Sequence, residues 1–117
     1  MRVVKVINET GRTLIGDHVT VAESSFTRLF GLLGRRGLAP GEGLWIRPST
    51  GVHTVGMRFP IDVIGLDRRM RVVRMWSCLV PYRMTSVSWR LHSVLELPAG
   101  RIGETGVQVG DMLRIEN

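Results

Sequence analysis

Short stretches in which apolar and β-branched residues alternate with polar ones run through most of the chain, and they predict a mainly β protein. The run at 61–66, Ile-Asp-Val-Ile-Gly-Leu, is the most strand-like, and it predicts a hairpin with 71–76 across a turn at 67–70. Gly, Pro and Asp residues separate the other stretches. The remaining predicted strands are 2–7, 13–15, 18–22, 44–47, 52–55, 93–97 and 112–115.

One segment has helical spacing instead. Ser24 is a suitable N-cap, and Gly34 is a suitable point for the helix to end. Between them the apolar side chains fall on one helical face: Phe26, Leu29, Phe30 and Leu33. We therefore predict one short helix at about 24–33 and an antiparallel sandwich or partly closed barrel that forms a single domain over residues 1–117.

The length of the chain fits that prediction, because 117 residues can bury one core without metal or disulfide help. The single cysteine, Cys78, cannot form an internal disulfide, which suits a reducing compartment. No apolar run approaches the length of about 20 residues that a membrane span needs. The first residues do not resemble a signal peptide, so we expect a cytoplasmic location and no membrane span.

The chain is basic, with 16 Lys and Arg against 10 Asp and Glu and a net charge of +6. Such a charge bears on solubility and non-specific association rather than on a particular site. The basic residues are spread along the chain, and most aromatic residues sit in apolar runs as core residues do. Nucleic-acid surfaces combine basic faces with exposed aromatic side chains, so the sequence argues against nucleic-acid binding.

Several motifs in fixed order resemble a known family. They are Arg-Leu-Phe-Gly-Leu-Leu-Gly-Arg at 28–35, Gly-Leu-Trp-Ile at 43–46, the segment 53–67 that contains Phe-Pro-Ile-Asp, Val-Leu-Glu-Leu-Pro-Ala-Gly at 94–100, and Gly-Asp at 110–111. Together they are similar to the family catalogued as domain of unknown function 192, over roughly residue 22 to the end. The resemblance implies a mainly β, sandwich-like domain and no established activity. Many relatives look secreted, so the resemblance does not supply a location.

The candidate functional residues lie in two of those motifs. Because an Arg and a His favour anionic or polar groups, we predict a cleft with these ligand-binding residues: His53, Thr54, Met57, Arg58, Asp62 and Glu96. Glu96 stands between two leucines, so on a strand it faces away from both. For Asp62 the simpler interpretation is a structural hydrogen bond or an ion pair with Arg58 or Arg28.

These residues leave three functional interpretations open. The first is a non-catalytic binding module for an anionic or polar small ligand or an acidic protein partner. The second is a hydrolase- or lyase-type enzyme that uses His53 as base, with Asp62 or Glu96 as the group that orients it. The third is a purely structural or interaction domain. The chain shows no His, Cys or carboxylate spacing typical of zinc or calcium sites, so we expect no metal and no cofactor.

Overall fold

The computed structural model describes residues 2–24, 35–51, 58–81, 85 and 88–117, and strands dominate them. The described residues form seven strands and one short helix. Their bounds are β1 (Val3–Asn8), β2 (Thr13–Ala22), β3 (Glu42–Ile46), β4 (Ile61–Leu66), β5 (Val72–Leu79), β6 (Ser93–Pro98), α1 (Arg101–Thr105) and β7 (Leu113–Glu116).

The strands form one curled sheet in the order β5-β4-β6-β3-β2-β1-β7, and it closes into a half-barrel. Neighbouring strands are antiparallel except β2 and β3, which run parallel. The two edges of the sheet approach each other at one end, where Arg71 and Met112 form an isolated antiparallel bridge. There the Leu113 N–H donates to the Met70 carbonyl at 2.9 Å. The half-barrel is therefore partly closed by backbone hydrogen bonds.

Both faces of the central strands are buried. The inner face carries the larger cluster, to which all seven strands and α1 contribute, among them Val6, Val19 and Leu95. The opposite, outer face of β4, β6 and β3 carries a second cluster, which includes Leu44, Val63 and Val94. Because a cluster covers each face of β4, all six of its residues are buried. Strands that are buried on both faces appear in the sequence as nearly continuous apolar runs.

The predicted fold class is confirmed. The hairpin of β4 and β5 forms as predicted, and Asp67 stabilises its turn by accepting the Arg69 and Arg71 N–H groups at 2.8 and 3.0 Å. The predicted strands 13–15 and 18–22 are instead one strand, β2. The predicted helix 24–33 and the predicted strand 52–55 lie almost entirely outside the described residues, and α1 was not predicted.

The two predicted strands merge at Gly16. This glycine does not form a turn, and its lack of a side chain lets the backbone of β2 lie close to Gly41 in the loop before β3. A Cβ at this position would lie 3.1 Å from the Gly41 carbonyl oxygen and 2.9 Å from Val19 Cγ2. The same carbonyl accepts the N–H groups of Asp17 and His18 at 3.0 and 2.9 Å. A glycine within a strand often marks such an approach, and here it lets β2 continue past the loop before β3.

Candidate functional site

Glu96 occupies the middle of the outer face. It lies on β6, where the register places it opposite Leu44 of β3 and opposite Val63 of β4. Directly opposite residues on adjacent strands have their Cβ atoms about 5 Å apart on one face of the sheet. The Glu96 carboxyl therefore lies among the apolar side chains of the second cluster, with Val94 two residues away on the same strand.

The Glu96 side chain is almost fully removed from solvent, with 4% of the residue exposed. Burial disfavours the charged form of a carboxyl group, and desolvation raises the pKa of Glu96 to about 8. Within the part of the chain that the structure describes, no hydrogen bond or ion pair reaches this carboxyl group. Glu96 is therefore protonated at neutral pH and presents both an O–H donor and a carbonyl acceptor.

Asp62 is also buried, but it faces the opposite way. The register pairs it with Leu97 of β6, and Leu97 belongs to the inner cluster. Its carboxylate accepts three backbone N–H groups: Cys78 at 2.8 Å, Gly100 at 3.1 Å and Ile102 at 2.8 Å. These bonds join β5 and the start of α1 to β4. They are structural hydrogen bonds of the predicted kind, although the partners are backbone amides and not Arg58.

The structure therefore does not bring Asp62 and Glu96 together, since they point to opposite faces of the same sheet. Arg58 is exposed just before β4 and, among the described residues, forms no ion pair with Asp62. His53, Thr54 and Met57, like Arg28, lie outside the described residues. Their part in the predicted site stays a prediction. The structure describes the surroundings of Glu96, and its role as a ligand contact also stays a prediction.

The structure also contains a concave feature that was not predicted. Next to the β4–β5 turn, a cavity of about 410 Å³ is lined by Asp67, Arg68, Arg69, Trp89, Arg90, Leu91 and His92. Trp89 is 90% exposed. The sequence did contain a signal, because Trp89 is followed directly by Arg90 and is not within an apolar run. We call this feature the Trp89 cavity.

The described ranges contain neither a cluster of metal-binding side chains nor a membrane-spanning helix. No group of three or more His, Cys, Asp or Glu side chains there is arranged to hold a metal ion. No helix in the described part of the chain is long and apolar enough to cross a bilayer. The predicted cytoplasmic location stays a prediction.

The fold and the buried acid define a small mainly β half-barrel domain with a carboxyl group enclosed on its outer face. The chain belongs to the family DUF192, an uncharacterised ACR family, whose pattern matches residues 5–115. This confirms the family resemblance seen in the motifs. No curated protein matches the chain.

Two solved structures show the same fold. One is a protein of unknown function from Novosphingobium aromaticivorans DSM 12444, with a TM-score of 0.81, 24% identity, and coverage of 96% of this chain and 83% of that chain. The other is described as a putative transcription regulator from Sinorhizobium meliloti 1021. It has a TM-score of 0.79 and 24% identity, and the match covers 96% of this chain and 91% of that chain.

Proposed function

We propose that this protein is a non-catalytic binding module for a small polar or anionic ligand, which it holds at the outer face around Glu96. The observation that carries this proposal is the Glu96 carboxyl group, which is set among apolar side chains with 4% of the residue exposed and has no hydrogen bond to another described residue. Buried polar groups in proteins nearly always have a partner. A bound ligand with a hydrogen-bonding group is a partner that suits this position.

The chemistry of the carboxyl group indicates which ligand atoms it would meet. With a pKa of about 8, Glu96 is neutral at physiological pH and donates its O–H to a ligand oxygen. A carbonyl, hydroxyl or carboxylate oxygen suits this donor, whereas an amine would favour an ionised acid. Apolar neighbours such as Leu44 and Val63 suit the carbon part of the same ligand. Arg58, exposed before β4, remains a candidate to attract an anion.

A thermal-shift screen of small carboxylic acids, sugars and phosphate esters tests this proposal. Ligand at about 100 times its Kd adds about 2.7 kcal/mol to the free energy of unfolding, which raises the Tm of a domain of this size by several degrees. We expect hits with the unaltered protein that Glu96→Gln weakens. Glu104→Gln, on the exposed surface of α1, is the matched control and should keep them. Hits that survive Glu96→Gln unchanged contradict the proposed site.

A second candidate function, an enzyme with Glu96 as general acid or base, is favoured by the pKa of that group. Proton transfer is most efficient when the catalytic pKa lies near the working pH, and a pKa of about 8 meets this condition. The hit from the screen is then incubated with the protein and followed for product. Turnover that Glu96→Gln abolishes supports the enzyme, whereas binding without product supports the binding module.

A further inference from the structure

The Trp89 cavity has the size and position of a ligand site separate from Glu96. Its volume of about 410 Å³ lies within the range typical of small-molecule sites. It borders the end of the sheet where Leu66 pairs with Ser93. Glu96 pairs with Val63, which lies three residues further along the two strands. At about 3.4 Å per residue, that separation is roughly 10 Å along the strand.

The walls of the cavity carry an excess of positive charge. Arg68, Arg69 and Arg90 are exposed, and within the described ranges none of their guanidinium groups forms an ion pair or a side-chain hydrogen bond. By contrast, Arg114 pairs with Glu9 elsewhere on the surface. Among the described lining residues the carboxylate is that of Asp67, and it already accepts two backbone N–H groups of its turn. Three guanidinium groups are thus available to bind an anion.

The aromatic side chain beside the cavity is almost fully exposed. Trp89 is 90% exposed, so nearly all of its indole is open to a flat partner. The segment that carries Trp89 is held against strand β4 by the two residues that follow Arg90. Leu91 is 3% exposed and packs so closely on Gly65 that a Cβ there would lie 2.5 Å from Leu91 Cδ2, and the His92 N–H donates to the Leu66 carbonyl at 2.8 Å.

We propose that the Trp89 cavity binds a nucleobase joined to phosphate, either as a free nucleotide or within a single strand. The indole stacks on the base, and the guanidinium groups of Arg68, Arg69 and Arg90 hold the phosphate. An exposed aromatic platform beside basic side chains is the pattern by which proteins bind single-stranded nucleic acids without sequence preference. A purely acidic peptide would use the charges and leave the indole without a partner.

The sequence disfavours nucleic-acid binding because most aromatic residues lie in apolar runs and are expected to belong to the core. Trp45 does, at 5% exposure, but Trp89 does not.

Binding of two probes tests the proposal: 5′-AMP by calorimetry, and a fluorescein-labelled twelve-nucleotide oligo-dA by anisotropy. We expect Trp89→Ala to weaken the binding of both at least fivefold, as expected when a stacking aromatic is removed. Arg90→Gln removes one phosphate contact and should lower the log–log slope of the salt dependence of oligonucleotide binding by about 0.7. Arg36→Gln makes the same charge change at an exposed residue outside the cavity and should leave the Trp89-dependent binding of AMP unchanged.

The outcomes separate the two sources of the ligand. Saturable AMP binding that the oligonucleotide does not exceed identifies a free nucleotide, and markedly tighter oligonucleotide binding identifies a single strand. Both support the proposal if Trp89→Ala weakens them. Because Trp89 is exposed, this variant should fold, and its melting curve verifies that. The proposal is overturned if neither probe binds at millimolar concentration, if Trp89→Ala binds like the unaltered protein, or if polyglutamate competes equally well.

Discussion

Replacement of Glu96 by Gln should change how the stability of the protein depends on pH. The pKa of Glu96 is about 8 in the folded protein against an ordinary value of 4.5, and the unfolded chain has the ordinary value. Between these two pH values the folded state holds one proton more than the unfolded state. A raised folded pKa therefore favours the folded state fully below pH 4.5, and this contribution is lost as the pH rises toward 8.

The size of the effect follows from the difference of 8 − 4.5 = 3.5 pH units. Each unit corresponds to about 1.4 kcal/mol, so the full loss is on the order of 5 kcal/mol. Between pH 5 and pH 8 the free energy of unfolding should fall by about 4 kcal/mol from this group alone. Domains are commonly stable by only about 5–15 kcal/mol, so this loss is a large share of the total.

Urea unfolding at pH 5, 6, 7 and 8, followed by circular dichroism, measures this loss. Other titrating groups contribute to every curve, so the informative quantity is the difference between Glu96→Gln and the unaltered protein. Gln is neutral at all of these pH values, and we expect the variant to gain about 4 kcal/mol relative to the unaltered protein from pH 5 to pH 8. Glu104→Gln should run parallel to the unaltered protein. A difference that stays constant within about 1 kcal/mol would refute the reasoning.

Three further substitutions test other contacts by urea unfolding. Asp62→Ala leaves three backbone N–H groups without their acceptor and should lower the free energy of unfolding by roughly 3–5 kcal/mol; a loss below about 1 kcal/mol would contradict the assigned hydrogen bonds. Gly43→Ala places a Cβ 2.9 Å from the main-chain carbonyl oxygen of Glu96 and should lower the free energy of unfolding by about 1–3 kcal/mol. The control Gly103→Ala has open space around it and should not lower the free energy of unfolding. Arg101→Lys loses one of two hydrogen bonds to β2 carbonyls and should cost about 1 kcal/mol; no change in the denaturation midpoint would count against that contact.

The local parts of the fold could be predicted from the sequence. The bounds of β4 follow from its apolar run and from Asp67, which favours a turn through its own side chain. The merging of two predicted strands into β2 could not be predicted in the same way. Gly16 is required by the Gly41 carbonyl oxygen, a contact between residues far apart in the sequence, and the sequence alone does not separate such a glycine from a turn glycine.

The candidate site was harder to predict because it depends on register between strands that are not consecutive. Alternation along β6 shows that Glu96 faces away from its leucine neighbours, and the structure agrees. Asp62 faces away from Glu96 because it pairs with Leu97. If β4 were shifted by one residue so that Asp62 paired with Glu96, the two side chains would share a face. β5 and the segment after it separate β4 from β6, so no local turn fixes this register.

The pairing of β1 with both β2 and β7 has a consequence for synthesis of the chain on the ribosome. β1 can form its hairpin with β2 early, but its other edge has no neighbour until 113–116 have been translated. Throughout that interval the nascent chain presents an open strand edge, the kind of surface on which chains associate. Translation that pauses before Leu113 therefore lengthens the period in which two nascent copies can pair through β1.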